Sequence, residues 1–247
     1  AGYSNNTGSS NIAVGPLALY SGTSSAGNVA IGSAAMYSAT SAANNIAMKN
    51  GLYNITTGDN NIALGQNAVY NLTTTSNNIG LGGGSLRYNQ TGGNNVAIGA
   101  EALQGVSGNS HTNNTAIGYQ AGYGITTGGY NFFGGYQAGN STTTGSNNIV
   151  IGNGSDASSA TVSNEITLGN SSIAAIRCQV QTISSLSDAR DKTDVVPLAG
   201  GLDFVDLLKP VSFNWNMRDG GKVGIPETGF IAQDLQKVQR DTGITIP

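Results

Sequence analysis

"NIAVG" at residues 11–15 returns as "NVAIG" at 28–32, "NIALG" at 61–65, "NVAIG" at 95–99 and "NTAIG" at 114–118. The Asn opening each copy falls at Asn11, Asn28, Asn45, Asn61, Asn78, Asn95, Asn114, Asn131 and Asn148, in steps of 17, 17, 16, 17, 17, 19, 17 and 17. A weaker tenth copy, "NEITLG", starts at Asn164. A short, nearly constant period means stacked units whose apolar faces close only against their neighbours. Each unit opens on an alternating strand such as Ile12-Ala13-Val14, with Ile and Val facing one way and Ala the other. A Gly follows (Gly15, Gly32, Gly65 and onward), suited to a corner with positive φ; Lys49 takes that place once. A second short apolar piece, "ALY", "AMY" or "AVY", and a polar turn of Thr, Gly, Ser and Asn close the unit. Helix is excluded by the β-branched residues, the recurrent internal Gly and the shortness of the apolar runs.

The spacing predicts a mainly β chain: a parallel β-coil rod, roll-like or helix-like, with about 17 residues per coil. At roughly 4.8 Å per layer, nine coils span on the order of 43 Å. The apolar positions are few and many are Ala. The expectation is therefore that one chain cannot close its core, and that both the Ile/Val row and the Leu/Met/Val-Tyr row need covering. Identical copies wound about a threefold axis are the natural closed solution, which makes the protein a homotrimer.

Composition narrows the function. Of 247 residues only 9% are charged and 37 are Gly, with a net charge of -3. Nucleic-acid binding, which requires clustered Lys and Arg, is excluded. No apolar run approaches the roughly 18 residues of a membrane-spanning helix, so no membrane insertion is expected. Cys178 stands alone and cannot form a disulfide within the chain. His111 lies in the one 19-residue repeat with no second His or Cys nearby. It is expected on an exposed loop, with no metal and no cofactor. Tyr20, Tyr37, Tyr53, Tyr70, Tyr88 and Tyr123 read as half-buried packing residues with wet hydroxyls.

Charge marks a boundary. Residues 1–186 contain three basic groups (Lys49, Arg87, Arg177) and four acidic ones (Asp59, Glu101, Asp156, Glu165), whereas the last 61 contain seven and nine. Three segments result: a repetitive coil over 1–170, a connector over 171–186, and a small α+β domain over 187–247. In the last, Leu202–Lys209 reads as a short amphipathic helix stopped by Pro210. "VSFNWN" (211–216) reads as a strand with Val211, Phe213 and Trp215 on one face, and "GGK" as a turn. Thr228–Arg240 reads as a helix with Thr228 as N-cap and Phe230, Ile231, Leu235 and Val238 inside.

The strand phrase, followed by "ALY" and a "TTG" turn, resembles the head repeats of trimeric autotransporter adhesins. It is similar also to the collar repeats of bacteriophage tail fibres, most clearly in "NNTAIGYQAGYGITTGGYN" (113–131). The C-terminal segments "SDARDK" (187–192), "LKPVSFNW" (208–215) and "GFIAQDLQKV" (229–238) resemble, in order, the intramolecular chaperone of endosialidase-type phage tailspikes and fibres. That resemblance implies a domain that trimerises, templates the folding of the β-rod, and in many members releases itself with a Ser-Lys pair. It places the nucleophile at Ser187, its base at Lys192 and the scissile bond at Leu186-Ser187. A serine hydroxyl needs such a base, and a buried lysine can supply a neutral amine. The family domain runs on past the "GFIAQ" helix, so the expectation here is an incomplete domain. The function implied is structural: a homotrimeric virion tail-fibre segment, assembled in the host cytoplasm. It would sit among other phage tail proteins and support attachment to a host-cell receptor such as a surface glycan. The alternative is the head of a trimeric adhesin on a bacterial cell surface.

Overall fold

The computed structural model describes residues 2, 4–177, 204–216 and 223–243. The chain divides into two compact units, Ala1–Arg177 and Cys178–Pro247. In the first, ten three-residue strands stack in chain order into one parallel sheet: β1 (Ile12–Val14), β2 (Val29–Ile31), β3 (Ile46–Met48), β4 (Ile62–Leu64), β5 (Ile79–Leu81), β6 (Val96–Ile98), β7 (Thr115–Ile117), β8 (Phe132–Gly134), β9 (Ile149–Ile151) and β10 (Ile166–Leu168). Equivalent residues face each other in every pair, as Ala30 faces Ala47 and Ala97 faces Ala116. Each coil thus makes one turn and delivers its strand directly onto the next, a parallel β-solenoid.

Three local features make the coil turn. The residue before each ladder Asn is left-handed: Asn44, Asn60, Asn77, Asn94, Asn113 and Asn147 have φ between 56 and 63°. Asn tolerates this region best after Gly, so the repeated "NN" doublet is one Asn for the bend and one for the interior. Past the strand, the corner glycines take a wider positive φ, 130° at Gly82. A methyl there would meet the Gly99 carbonyl oxygen at 2.6 Å. Lys49 enters this corner at φ 53° instead, and its coil is the one with a step of 16 residues. The third bend falls on apolar residues: Leu19, Met36, Leu52, Val69, Leu86 and Leu103 all have φ near 50°. Left-handed backbone costs such residues roughly 1–2 kcal/mol each, and their complete burial offsets it.

The interior is a column one or two side chains across. The middle strand residue points inward at Ala30, Ala47, Ala63, Ala97 and Ala116, and the Leu/Met/Val row from Leu19 to Leu103 closes the opposite wall. This corrects the expectation that one chain cannot close its core: the second apolar row is core of the same coil. Only the Ile/Val row remains outside. Where the strand carries Phe133 in place of Ala, the opposite wall carries Gly122 and Gly139 in place of Leu. A methyl on Gly122 would lie 2.6 Å from Phe133 Cδ2, and one on Gly139 closer still. Volume is conserved across the column by exchanging large for small.

A buried Asn ladder runs the length of this column. Asn78 donates its Nδ2 to Asn61 Oδ1 (3.2 Å), Gly92 O (3.1 Å) and Ser76 O (3.3 Å). Its Oδ1 accepts from the backbone N of Asn95 (3.1 Å) and from Asn95 Nδ2 (3.0 Å). The same Oδ1-to-backbone contact repeats from Asn11 to Asn148. It ends at Glu165, whose backbone N donates to Asn148 Oδ1 at 2.9 Å. Glu165, not Asn164, is therefore the tenth copy's ladder position. Its carboxylate turns aside to Ser158 and Thr167 and offers no further rung. Those hydrogen bonds from Ser158 and then Thr167 hold its pKa below the ordinary carboxylate range.

Outside the column, Tyr20, Tyr37, Tyr53 and Tyr70 stack ring on ring at 4.9–5.1 Å. Arg87 takes the next rung and lies over Tyr88 at 5.2 Å, so Tyr88 is not part of the stack. The turn threonines donate to the carbonyl one coil on, as Thr23 does to Thr40 (3.0 Å) and Thr56 to Thr73 (3.0 Å).

In the second unit, β11 (Val211–Asn216) and β12 (Val223–Gly229) form an antiparallel pair with a bulge between Asn214 and Asn216. The "VSFNWN" strand is as expected, and Val211 and Phe213 share its half-buried face. The helix α1 spans Ala232–Thr242 and ends on Gly243 at φ 68°. Thr228 is not its cap: it pairs with Ser212 inside β12, because the ladder uses the backbone through Gly229. Of the helix expected over 202–209, Phe204 and Val205 are helical and the chain turns at Asp206–Leu207. The "GGK" turn lies outside the described residues.

Replacing Asn78 with Ala should cost about 3–5 kcal/mol, since the Asn95 donors and the Gly92 carbonyl lose buried partners. The same change at half-exposed Asn11 should cost about 1 kcal/mol. Urea unfolding of both variants checks the gradient. Phe133→Ala should cost about 3–5 kcal/mol, and adding Gly122→Leu and Gly139→Leu should recover much of it.

Candidate assembly interface

The strand pleat that sends Ala inward sends its two neighbours outward. Both flanking rows of the ten-strand sheet are apolar except at Thr115 and Gly134, and every position in them is exposed or half-buried. Ile12, Val14, Ile46, Met48, Ile117, Ile149 and Ile151 are each between 39% and 56% exposed, far more than a core side chain. Twenty positions, two per strand, form one continuous stripe. At some tens of Å² each, the stripe presents on the order of 1,000 Å² of apolar surface. Single exposed Ile residues are ordinary on a protein surface, whereas an unbroken double row of this length is not. It carries no acid or base at any of its twenty positions. The edge of this face continues into Tyr119 and Tyr136, exposed and stacked at 5.3 Å.

The second unit has a similar character. Phe204 is its one fully buried apolar residue among those described, and no residue of α1 is buried. Phe230 and Ile231 are exposed and Leu235 and Val238 only half-buried, so this set does not form the interior expected of it. Together with Leu207 and Leu208 they line an open groove of about 230 Å³, flanked by Lys209, Asp234, Lys237 and Asp241. A helix with an apolar face and nothing over it is a surface prepared for another element.

The residues expected to carry chemistry, Ser187 and Lys192 with the Leu186-Ser187 bond, lie outside the described residues, as does Cys178. No group of three potential metal ligands occurs among the described residues, and none of their helices is long and apolar enough to cross a membrane.

His111 differs from expectation. It is buried, at 1% exposure, and a methyl on Gly105 would stand 3.3 Å from its Nε2. Its backbone N donates to Asn89 Oδ1 (3.3 Å) and its carbonyl accepts from Asn95 Nδ2 (2.9 Å), so it sits beside the ladder. Neither ring nitrogen completes a hydrogen bond. Burial pushes its pKa down from 6.5 to about 4, and the nearby Leu103 carbonyl counters this only weakly. The sequence clue was the 19-residue spacing itself: a repeat that lengthens must put its additional atoms somewhere.

Compared with known proteins, residues 187–244 match the family described as chaperone of endosialidase. The match begins at Ser187 and takes in β11, β12 and α1. No curated protein matches the chain. No solved structure matches it either.

His111 is neutral when folded and titrates near 6.5 when unfolded. The unfolded chain therefore binds the extra proton between pH 6.5 and about 4. Stability from this group is complete above pH 6.5 and falls by about 3 kcal/mol as pH drops to 4. Thermal unfolding against pH should show this loss in the wild-type chain and a flatter profile in His111→Leu, which should be no less stable at pH 7.

Proposed function

We propose that this chain is a structural subunit of a phage tail fibre or tailspike. Three copies pack their Ile/Val stripes about a common axis, and the C-terminal unit aligns them and templates their folding. The observation that carries the proposal is the uncovered stripe on a coil whose core is otherwise closed. Burying on the order of 1,000 Å² per copy exceeds the roughly 800 Å² per partner of a standard stable interface. At about 25 cal/mol per Å² it yields on the order of 25 kcal/mol before the costs of association. The match of residues 187–244 to the chaperone of endosialidase family supports the phage reading over a bacterial surface adhesin. A chaperone domain at one end of every chain also requires parallel copies, which a closed threefold rod accommodates.

The rod's role is mechanical. It holds a host-binding element away from the particle, in a virion where its partners are the neighbouring tail proteins and a host surface receptor. Self-release belongs to the same reading. Lys192, as a neutral amine, takes the Ser187 Oγ proton while Oγ attacks the Leu186 carbonyl carbon. The C–N bond breaks, the Ser187 amine takes up a proton, and water hydrolyses the resulting ester. Adjacency of nucleophile and acyl carbon removes the entropic cost of an encounter.

Light scattering of the uncleaved Ser187→Ala chain should return three times the 24.9 kDa chain mass; a monomer would overturn the trimer. Ile98→Asp, a charge placed on the stripe, should abolish assembly. On a denaturing gel the wild-type chain should give pieces of 186 and 61 residues, and Ser187→Ala a single full-length band.

A further inference from the structure

The outward stripe is monotonous except at one level. From β1 to β6, and again at β9 and β10, both outward positions of every strand carry Ile, Val, Leu or Met. β7 carries Thr115 beside Ile117, and β8 carries Phe132 and Gly134. The Phe132 ring lies along its own strand over Gly134. A methyl group on Gly134 would stand 3.1 Å from Phe132 Cε1, 3.5 Å from Cζ and 3.9 Å from Ile151 Cγ1. This rung is thus one aromatic plate where the rungs of β1 to β6, β9 and β10 are pairs of aliphatic side chains. Phe132 is also less exposed than Ile149 and Ile151 in the rung above it, since the plate lies close to the sheet.

We propose that Phe132 over Gly134, with Thr115 on the preceding strand, is a register key read by further copies of this chain. It fixes which coils of neighbouring copies lie level with one another. The inference rests on the parallel assembly proposed above and names the residues that make it specific. The other rungs cannot do this. Sliding one copy by a coil exchanges Ile for Val, or Leu for Met, and such volume-conserving swaps between well-packed apolar side chains are tolerated best.

At the β8 level a slide is not neutral. Phe plus Gly occupies less volume than two Ile, and has a different shape. Level copies meet plate to plate. A copy displaced by one coil sets its smaller plate against Ile149 and Ile151, leaving a void at that level, and brings Thr115 and Ile117 against the plates it abandoned, overfilling that one. Overpacking and cavity formation are both penalised. Thr115 adds a polar condition. In register, its hydroxyl can find the hydroxyls of the other copies' threonines. Displaced, it is buried against aliphatic side chains with no partner. Attraction in register and two penalties out of register are what discrimination requires.

The test is a sorting experiment on the full chain. Wild type is refolded together with the variant Phe132→Ile/Gly134→Ile/Ile149→Phe/Ile151→Gly, in which the plate is moved up one coil. The two chains carry tags of different mass, and assemblies are counted by native mass spectrometry. Each chain should assemble with its own kind, and mixed trimers should fall at least about fivefold below their random share. Random mixing would overturn the key while leaving the trimer intact. Monomers in every sample would instead overturn the trimer reading on which it rests. Should the moved-plate variant not fold, Phe132→Ile/Gly134→Ile replaces it, since its rung copies that of β9. It too should be under-represented in mixed trimers with wild type, and free mixing would again overturn the proposal.

Discussion

Each coil of the solenoid contributes a short strand and three sharp bends, and no coil is stable by itself. What allows them to stack is the interior line of asparagines. An Asn at the start of each strand from β1 to β9 accepts from the backbone N–H of the next rung and donates to a turn carbonyl one coil on. These groups would otherwise be buried and orphaned where the chain leaves its turn and enters the strand. The side chain is short enough to lie inside and is neutral, and it both donates and accepts. Asp would lack the donors and bring a charge, while Gln would overfill the narrow column. Such a ladder is cooperative by construction, because each rung is complete only when its neighbours are in place.

The ladder also fixes what faces outward. With Asn inside at the strand entry and Ala inside at its centre, the pleat leaves the Ile and Val rows no alternative but the surface. The column is thin, so Ala suffices on one wall and Leu, Met or Val on the other. Phe133 with Gly122 and Gly139 shows that a different division of the same volume is equally acceptable. The Ile and Val rows beside the strand centre therefore add little to the column and lie exposed or half-buried along the sheet.

The two units share this property for different reasons. In the coil, uncovered apolar surface is a regular stripe imposed by the repeat. In the C-terminal unit it is an open groove between the turn after Phe204 and helix α1, with only Phe204 fully buried among the described residues.

The repeat spacing, the alternation within "NIAVG" and the Gly after it were sufficient by themselves for the parallel coil, the ten strands and their pairing, because a period of two and a period of 17 leave one way to stack. The alternation in "VSFNWN" likewise announced the strand of β11. Tertiary structure alone decided which apolar row is core. Leu19 to Leu103 could not be assigned to the interior from pattern, since that depends on left-handed bends at Leu, Met and Val that local preference disfavours. The same holds for the second Asn of each doublet, a polar residue whose burial is justified chiefly by partners in the neighbouring coils. It holds for His111 too, a lone histidine that the sequence reads as exposed and that the coil buries. At Thr228 the pull of strand pairing outweighed a good cap residue. Local sequence fixes periods and propensities; which side of a wall becomes inside is settled only when the neighbouring coil arrives to cover it.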